Sequence, residues 1–509
     1  MNEEPPDAAS PVELRLRRLG IDTHQEPVLY LRADSPVCRS EGFEAQSRVR
    51  VESGGRSTIA TLNVVHGELL AKGEAGLSES AWRLLDPAPG ATGRVAHAHP
   101  LASLSHVRGK IYGKRLGDAQ MRSIVGEIAA GRYTDVQLAA FVTACADDRL
   151  DDEEITSLTR AMIDVGERLS WDRTPIADKH SVGGLPGNRT TPILVPILAA
   201  CGLTMPKTSS RAITSPAGTA DTMETMAPVD LDLASMRRVV EAEGGCIVWG
   251  GAVHLSPADD LLIRVERALE LDSEGQLVAS ILSKKIAAGS THVLVDMPVG
   301  DTAKVRSHEA AARLARTLVN VGQSLGLVVR VAVGDGREPI GRGIGPALEA
   351  RDVLAVLGGA ASAPPALRDR AVHLAAEILE MTGSSPVGEG VRRAAAVLAS
   401  GEALRKFEAI CRAQGGIRTP PVATHRGTIE AASSGVVARI DNRRLSRVAK
   451  LAGAPADPAA GIDLHVRLGD PVLRGQPLFT IHAETSGELD YAVEYLEAQV
   501  GLVDIEPTE

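Results

Sequence analysis

Aromatic residues are scarce in this chain of 509 residues: three Trp, five Tyr and four Phe make up 2 % of it. That excludes the stacking platforms on which single-stranded nucleic acids are held. An excess of cations is missing too, since 55 Lys and Arg face 65 Asp and Glu for a formal charge of −10. A general nucleic-acid binder would carry a basic stripe instead. Cysteines are few (Cys38, Cys145, Cys201, Cys246 and Cys411), with no CxxC and no Cys/His cluster. A disulfide framework or a zinc site is therefore not expected, and a reducing compartment is. The longest apolar run lies around Pro192–Cys201, short of the roughly 20 residues that span a bilayer. The opening MNEEPPDAASPVE is acidic and lacks the basic and apolar regions of a signal peptide. These absences together predict a cytoplasmic protein with no membrane partner, no nucleic acid and no metal.

What is present is an ordinary globular composition, 44 % apolar, whose core must come from Ala, Val, Leu and Ile. At about 150 residues per domain the length implies two to four domains. Residues 1–12 read as a disordered tail, and 13–95 as a β-rich domain with short alternating runs at Val28–Arg32, Ser47–Val51 and Ser57–Val64. The SerGlyGlyArg run at 53–56 reads as a hairpin turn. A helical domain follows over 100–170, with three-to-four apolar spacing in Asp118–Gly131, Thr134–Cys145 and Asp151–Leu169. Thr134 and Asp135 suit an N-cap, and Asp151–Glu154 puts acid at a helix start. Over 171–420 strands (Ile176–Ser181, Cys246–Trp249, Val293–Met297, Leu327–Val333) alternate with helices near 190–201, 235–243, 257–270, 276–288 and 308–325. That alternation predicts a parallel sheet with both faces covered. Residues 425–509 read as a C-terminal α+β domain with a helix at Asn442–Leu451. The fold class is thus multidomain α/β.

Three clusters carry chemistry. In Ile176–Asn188 a strand runs through Lys179, His180 and Ser181 into a turn with Gly183, Gly184 and Gly187, and a helix follows. Glycines let the backbone approach an anion, and a helix start presents free N–H groups to it. The spacing is neither GxGxxG nor GxxxxGK[ST], which speaks against a dinucleotide or Walker-type site. The second cluster, Lys207–Asp221, sets hydroxyl residues and Arg211 before a helix-like segment, a second anion cradle. In the third, Arg264–Asp272 leads to Ser280 and Lys284, which are i, i+4 on one helix face, with Asp272 ahead of that helix. Each has a plain structural reading as a solvated turn or a capped, charged helix.

Taken in order, the three clusters resemble the thymidine/pyrimidine-nucleoside phosphorylase family. KHSVGG at 179–184 resembles the family signature. PGN at 186–188, KTSSRAITS at 207–215, AGTAD at 217–221, VWGGA at 248–252, LSPADD at 255–260 and PIGRGIGPALEAR at 339–351 are most similar to its long-chain branch. That branch holds AMP phosphorylases and type 2 thymidine phosphorylases, and the likeness covers roughly residues 15–500.

The resemblance implies a pentosyltransferase built from the helical and α/β domains shared by nucleoside phosphorylases and phosphoribosyltransferases. It would cleave an N-glycosidic bond with inorganic phosphate as substrate and no cofactor, giving free base and a sugar 1-phosphate. It places phosphate on Lys179, Ser181, Ser209 and Thr219. His180 is set to contact base or sugar, and Asp272 matches the proton donor of the AMP branch. Ser280 and Lys284 match base-binding positions. Gly184, Ser210, Arg211, Ala212, Ile213, Thr214, Ser215, Thr219 and Lys304 match nucleotide-contacting ones. A homodimer or higher oligomer, and closure about hinges near 115–117 and 168–175, are implied in the same way.

One departure bears on substrate. Short thymidine phosphorylases carry an arginine seven residues before the position of Asp272, where this sequence has Val265. That leaves room for a purine or a nucleoside 5′-phosphate, with Arg211, Arg264 or Lys304 as the added cation. Thymidine phosphorylase and AMP phosphorylase activities therefore both stand. A phosphoribosyltransferase of the anthranilate type, for which Asp259–Asp260 would be the acidic pair, and a non-catalytic nucleotide binder are the remoter alternatives.

Overall fold

Strict alternation builds the first element of the fold. In β1 (Glu13–Arg18) Leu14 and Leu16 are buried between exposed charged neighbours, and β3 (Arg48–Ser53) alternates likewise. With β2 (Val28–Arg32), β4 (Arg56–Val65), β5 (Glu74–Leu77) and β6 (Thr92–His97) they close a barrel in the order β1-β5-β2-β4-β3-β6. β1 pairs parallel with β5 and β2 with β4, while the other pairs are antiparallel. The β3–β4 turn is the expected hairpin: Ser53 faces Arg56, and Gly54 and Gly55 take φ of 56° and 80°. Positive φ at both central residues matches the twist of the flanking strands. Two short helices, α1 (Pro36–Glu41) and α2 (Glu79–Leu85), accompany the barrel.

The computed structural model describes residues 12–507 except 24–25, 213–214, 254, 272 and 499–500. All of the expected N-terminal tail but Val12, together with Ile213, Thr214 and Asp272, lies outside the described residues. No helix of the described residues is long and apolar enough to cross a membrane.

The helical region holds α3 (Leu104–Ile111), α4 (Asp118–Ala129), α5 (Asp135–Ala144) and α6 (Asp152–Asp164). Gln137 N donates to Thr134 Oγ1 at 3.3 Å, and Asp151 with Glu154 forms a capping box at α6. The sequence carries this last helix on to Leu169, but it stops at Asp164. Gly166 beyond it runs so close to Leu255 that a Cβ there would sit 2.1 Å from the Leu255 carbonyl oxygen. The helices of this region fall in two compact units. One unit comprises the chain up to Arg115 with Ser123–Ala144; the other comprises Leu116–Arg122 with everything from Cys145 on. α6 goes with the second because Leu150 and Ile155 pack on Gly275, where a Cβ would meet them at 3.0–3.2 Å.

The second unit contains the parallel sheet. In chain order come β7 (Ala177–Ser181), α7 (Thr191–Ala200), β8 (Met205–Ser209), α8 (Thr219–Glu224), α9 (Leu233–Glu243), β9 (Gly245–Trp249), α10 (Pro257–Leu269), α11 (Glu274–Ala287), β10 (His292–Val299), α12 (His308–Ser324) and β11 (Val328–Asp335). β11-β10-β7 and β8-β9 are parallel, and a parallel bridge between Ile176 and Thr204 joins the two groups. The sequence did not delimit α13 (Pro346–Leu357), α14 (Pro365–Met381), α15 (Gly390–Ala399) and α16 (Glu402–Ala413). They enclose α7: Ile193, Leu194, Ile197 and Leu198 are buried with Leu374, Leu379, Phe407 and Ile410. Such an apolar-all-round helix needs cover on every side.

The C-terminal part comprises β13 (His425–Glu430), β14 (Gly435–Ile440), α17 (Asn442–Leu451), β15 (Gly461–Leu464), β16 (Pro471–Val472), β17 (Pro477–Ala483), α18 (Ser486–Glu497) and β18 (Val503–Glu506). Its sheet β15-β17-β13 gains an edge strand, β12 (Gly343–Ile344), from the PIGRGIG run. The same run packs on the glycine turn, where Gly341 N donates to the Gly187 carbonyl at 3.1 Å.

Candidate active site

Alternation along β7 points Lys179 and Ser181 to one face of the sheet and Asp178 and His180 to the other. On the first face Lys179 is fully buried. Its Nζ donates to Thr190 Oγ1 at 2.8 Å and to Ser181 Oγ, and lies 3.2 Å from Asp296 Oδ2. Register places Asp296 of β10 beside Ser181. The Asp296 carboxylate also accepts from Ser181 Oγ and Asn188 Nδ2, each at 3.1 Å, and from Arg370 Nε at 3.2 Å. Burial alone would raise its pKa, but Lys179 and Arg370 outweigh burial and hold it at about 2. Loss of hydration lowers the pKa of Lys179, against the pull of Asp296.

On the opposite face Asp178, also fully buried, accepts from Lys285 Nζ at 2.9 Å and Ser290 Oγ at 3.3 Å. Lys207 Nζ stands 4.0 Å from its other oxygen. Burial, and then the neighbouring Lys285, push Lys207 well below the usual amine range. Burial followed by Lys285, Lys207, Lys284 and Lys179 does the same to the His180 imidazole, which is neutral at physiological pH.

Ser209 ends β8, buried, and its Oγ has no hydrogen-bond partner among the described residues. The loop after it is folded back by Asp221, whose Oδ2 accepts from Ala212 N at 2.7 Å and Gly218 N at 2.8 Å. Gly218 is required at this turn because a Cβ would lie 2.4 Å from the Arg211 carbonyl carbon. Ala220 N donates to the Ser210 carbonyl at 3.2 Å, and Ser215 Oγ to that of Ala217 at 2.7 Å. The Arg211 guanidinium lies 4.9 Å from the Trp249 ring centre and is committed to Glu224 at 2.5 Å and Asp221 at 3.2 Å. Thr219 opens α8, and its Oγ1 accepts from Arg189 Nη1 at 3.2 Å.

In the third cluster Lys284 Nζ lies 2.5 Å from Asp259 and 3.4 Å from Ser280 Oγ. Burial opposes the Lys284 charge, yet Asp259 prevails and raises its pKa. Val265 is buried on the inner side of α10 with Leu262. Asp272 lies outside the described residues, directly before Ser273, whose side chain caps α11. Gly184, with φ of 79°, packs on Lys304: a Cβ there would sit 2.3 Å from the Lys304 nitrogen.

The structure therefore brings together Lys179 with Ser181, Gly184 with Lys304, and Ser280 with Lys284. Thr219 is tied to the first turn through Arg189. Arg211 does not join the Lys179 group, its donors being occupied by Glu224 and Asp221. Sequence reasoning did not single out Thr190, Asp296 or Arg370, gave Asn188 no role beyond the PGN run, and read Asp259 only as half of an acidic pair rather than as the partner of Lys284. Thr190 and Asn188 lie within or just beyond the PGN run and were within reach of the motif; Asp296 is found only through strand register.

Comparison with known proteins accords with this layout. Residues 173–404 match the glycosyl transferase family, a/b domain, and 105–166 match its helical bundle domain. Residues 436–502 match the pyrimidine nucleoside phosphorylase C-terminal domain. The protein named "Putative thymidine phosphorylase" of Polaromonas sp. is 64 % identical over 501 residues, covering 98 % of each chain. A protein of that name from Hahella chejuensis is 59 % identical, over 97 % of this chain and 98 % of its own. Among solved structures, anthranilate phosphoribosyltransferase from Thermus thermophilus is similar over 60 % of this chain and 98 % of its own, at a TM-score of 0.49 and 24 % identity. The domains and the relatives define a pentosyltransferase of the glycosyl transferase class. Within that class, the chain belongs to the thymidine/pyrimidine-nucleoside phosphorylase family.

Proposed function

We propose that the chain splits the N-glycosidic bond of a nucleoside or nucleoside monophosphate with inorganic phosphate, releasing the base and a sugar 1-phosphate. The observation that carries this reading is the buried Lys179 with the Ser181 and Thr190 hydroxyls around it. A buried cation flanked by hydroxyl groups suits an anion stripped of its water. Ser209 Oγ, buried without a partner, is a further donor for the same anion. Phosphate fixed in this way stabilises an oxocarbenium-like sugar and supplies the nucleophile, so no covalent enzyme intermediate is needed. Ser280 and Lys284 hold the base, and Asp272 protonates it as it leaves. Neutral His180 contacts base or sugar without adding charge.

The names of the relatives favour thymidine as substrate. AMP, giving adenine and ribose 1,5-bisphosphate, is the second reading. It is favoured by buried Val265, which offers no grip for a pyrimidine carbonyl. The test is base release from thymidine, uridine, cytidine, adenosine, AMP, CMP and UMP, with and without phosphate. Phosphate-dependent release from thymidine or uridine supports the first reading, and release from 5′-monophosphates alone supports the second. No phosphate-dependent release from any of them would sink both.

A further inference from the structure

The residue between Asn188 and Thr190 is Arg189, 8 % exposed although it carries a full charge. A buried guanidinium is costly unless its charge and its N–H groups are satisfied. Here Nε pairs with Glu349, itself 1 % exposed on α13. Nη2 donates to the Ala217 carbonyl at 2.6 Å and Nη1 to Thr219 Oγ1 at 3.2 Å. Glu349 in turn accepts from Thr222 Oγ1 at 3.2 Å. One side chain thus fastens the first anion turn to the second, and its charge is cancelled on the spot.

We propose that Arg189 is a positioning residue for phosphate, acting through the Thr219 hydroxyl; this rests on the phosphorolysis reading above. A threonine hydroxyl has one proton to give and lone pairs to receive. With Arg189 donating to its oxygen, the Thr219 proton is left for another acceptor, which the proposal assigns to the phosphate. Because Glu349 neutralises the guanidinium, the contribution of Arg189 is orientation of a donor rather than attraction of charge. A lysine keeps the charge but is a point donor that cannot serve three acceptors in fixed directions.

The test measures phosphate KM and kcat on the full chain with whichever substrate the panel identifies, and phosphate binding by calorimetry with inorganic phosphate alone. Arg189→Lys is expected to raise phosphate KM and Kd about tenfold, the scale of one lost or misdirected hydrogen bond, with kcat within about threefold. In a Thr219→Val background, Arg189→Lys should add less than twofold. Arg189→Gln, which keeps an amide donor, serves if the lysine variant does not fold. A variant that melts earlier but binds phosphate like the wild type would reduce Arg189 to a structural ion pair and overturn the proposal. Additive effects in the double variant would do the same. Calorimetry separates the two failures: wild type that binds phosphate but releases no base sinks phosphorolysis alone, whereas wild type that binds no phosphate sinks both.

Discussion

Asp178 and Asp296 lie on neighbouring strands, are both fully buried, and each faces two basic side chains. Each carboxylate thus has the same number of cations beside it, but at different distances. Around Asp296 every partner is within hydrogen-bond reach: Lys179 at 3.2 Å, Arg370 Nε at 3.2 Å, Ser181 and Asn188 at 3.1 Å. Around Asp178 one lysine takes the carboxylate at 2.9 Å and the other is left 4.0 Å away. A buried charge is tolerated when it is both paired and hydrogen-bonded, and an extra ångström forfeits much of that compensation. Asp296 is therefore held ionised by its close partners, while burial lowers the pKa of Lys179 against the pull of Asp296. In the Asp178 group, burial and then Lys285 push the Lys207 amine well below its usual range. How closely the cations approach, not how many there are, distinguishes the two clusters.

The largest effect should come from breaking the first cluster at its cation. Lys179→Ala is expected to cut phosphate-dependent base release about a thousandfold or more, since it removes the charge that replaces water around the nucleophile. Initial rates at saturating phosphate decide it, and activity within about tenfold of wild type would remove Lys179 from the phosphate site.

Next comes the carboxylate. Asp296 titrates at about 2 in the fold against 3.8 when unperturbed. A depressed carboxyl contributes stability above its unfolded pKa and loses it as pH falls through the folded one. The difference amounts to about 2 kcal/mol. Wild type should lose that much between roughly pH 4 and pH 2, while Asp296→Asn should be less stable at neutral pH and flatter across the same window. Equal acid limbs for the two in denaturant titrations would show that the ion pairs of Asp296 do not govern this region.

Asp296 also marks how far the sequence could be read. The Lys179–Gly184 turn, the Ser280–Lys284 pair and the parallel strands were legible because each is local: a turn needing glycines, an i, i+4 spacing, an apolar run between helices. Asp296 has no such local sign, standing 115 residues from Ser181, and only the β7–β10 register makes them neighbours. The helices α13 and α14 escaped for a related reason. In α13 and α14 buried positions lie on several sides, among them the polar Glu349 and Asp352, so no single apolar stripe stands out. The barrel reads as β-rich from alternation alone. Its closure depends on the pairing of β1 with β6, strands some 80 residues apart, and no short pattern encodes that.

The smallest effect is expected in the second cluster, and it sharpens the contrast most. Lys207 is 5 % exposed, stands 4.0 Å from Asp178, and has a pKa driven well down by burial. A lysine of depressed pKa binds fewer protons folded than unfolded, so it costs stability at neutral pH and that cost fades as pH rises toward 10.5. Lys207→Met keeps the length of the side chain and removes the ill-paired charge. Replacing such groups by apolar ones of similar volume is often neutral or stabilising. The variant should match or exceed wild type by up to about 1 kcal/mol at pH 7, with the gap narrowing by pH 10. Thermal melts across that range read it directly. A destabilisation of more than about 2 kcal/mol would mean that Lys207 is held as a charged partner of Asp178 after all, and that the two clusters are alike.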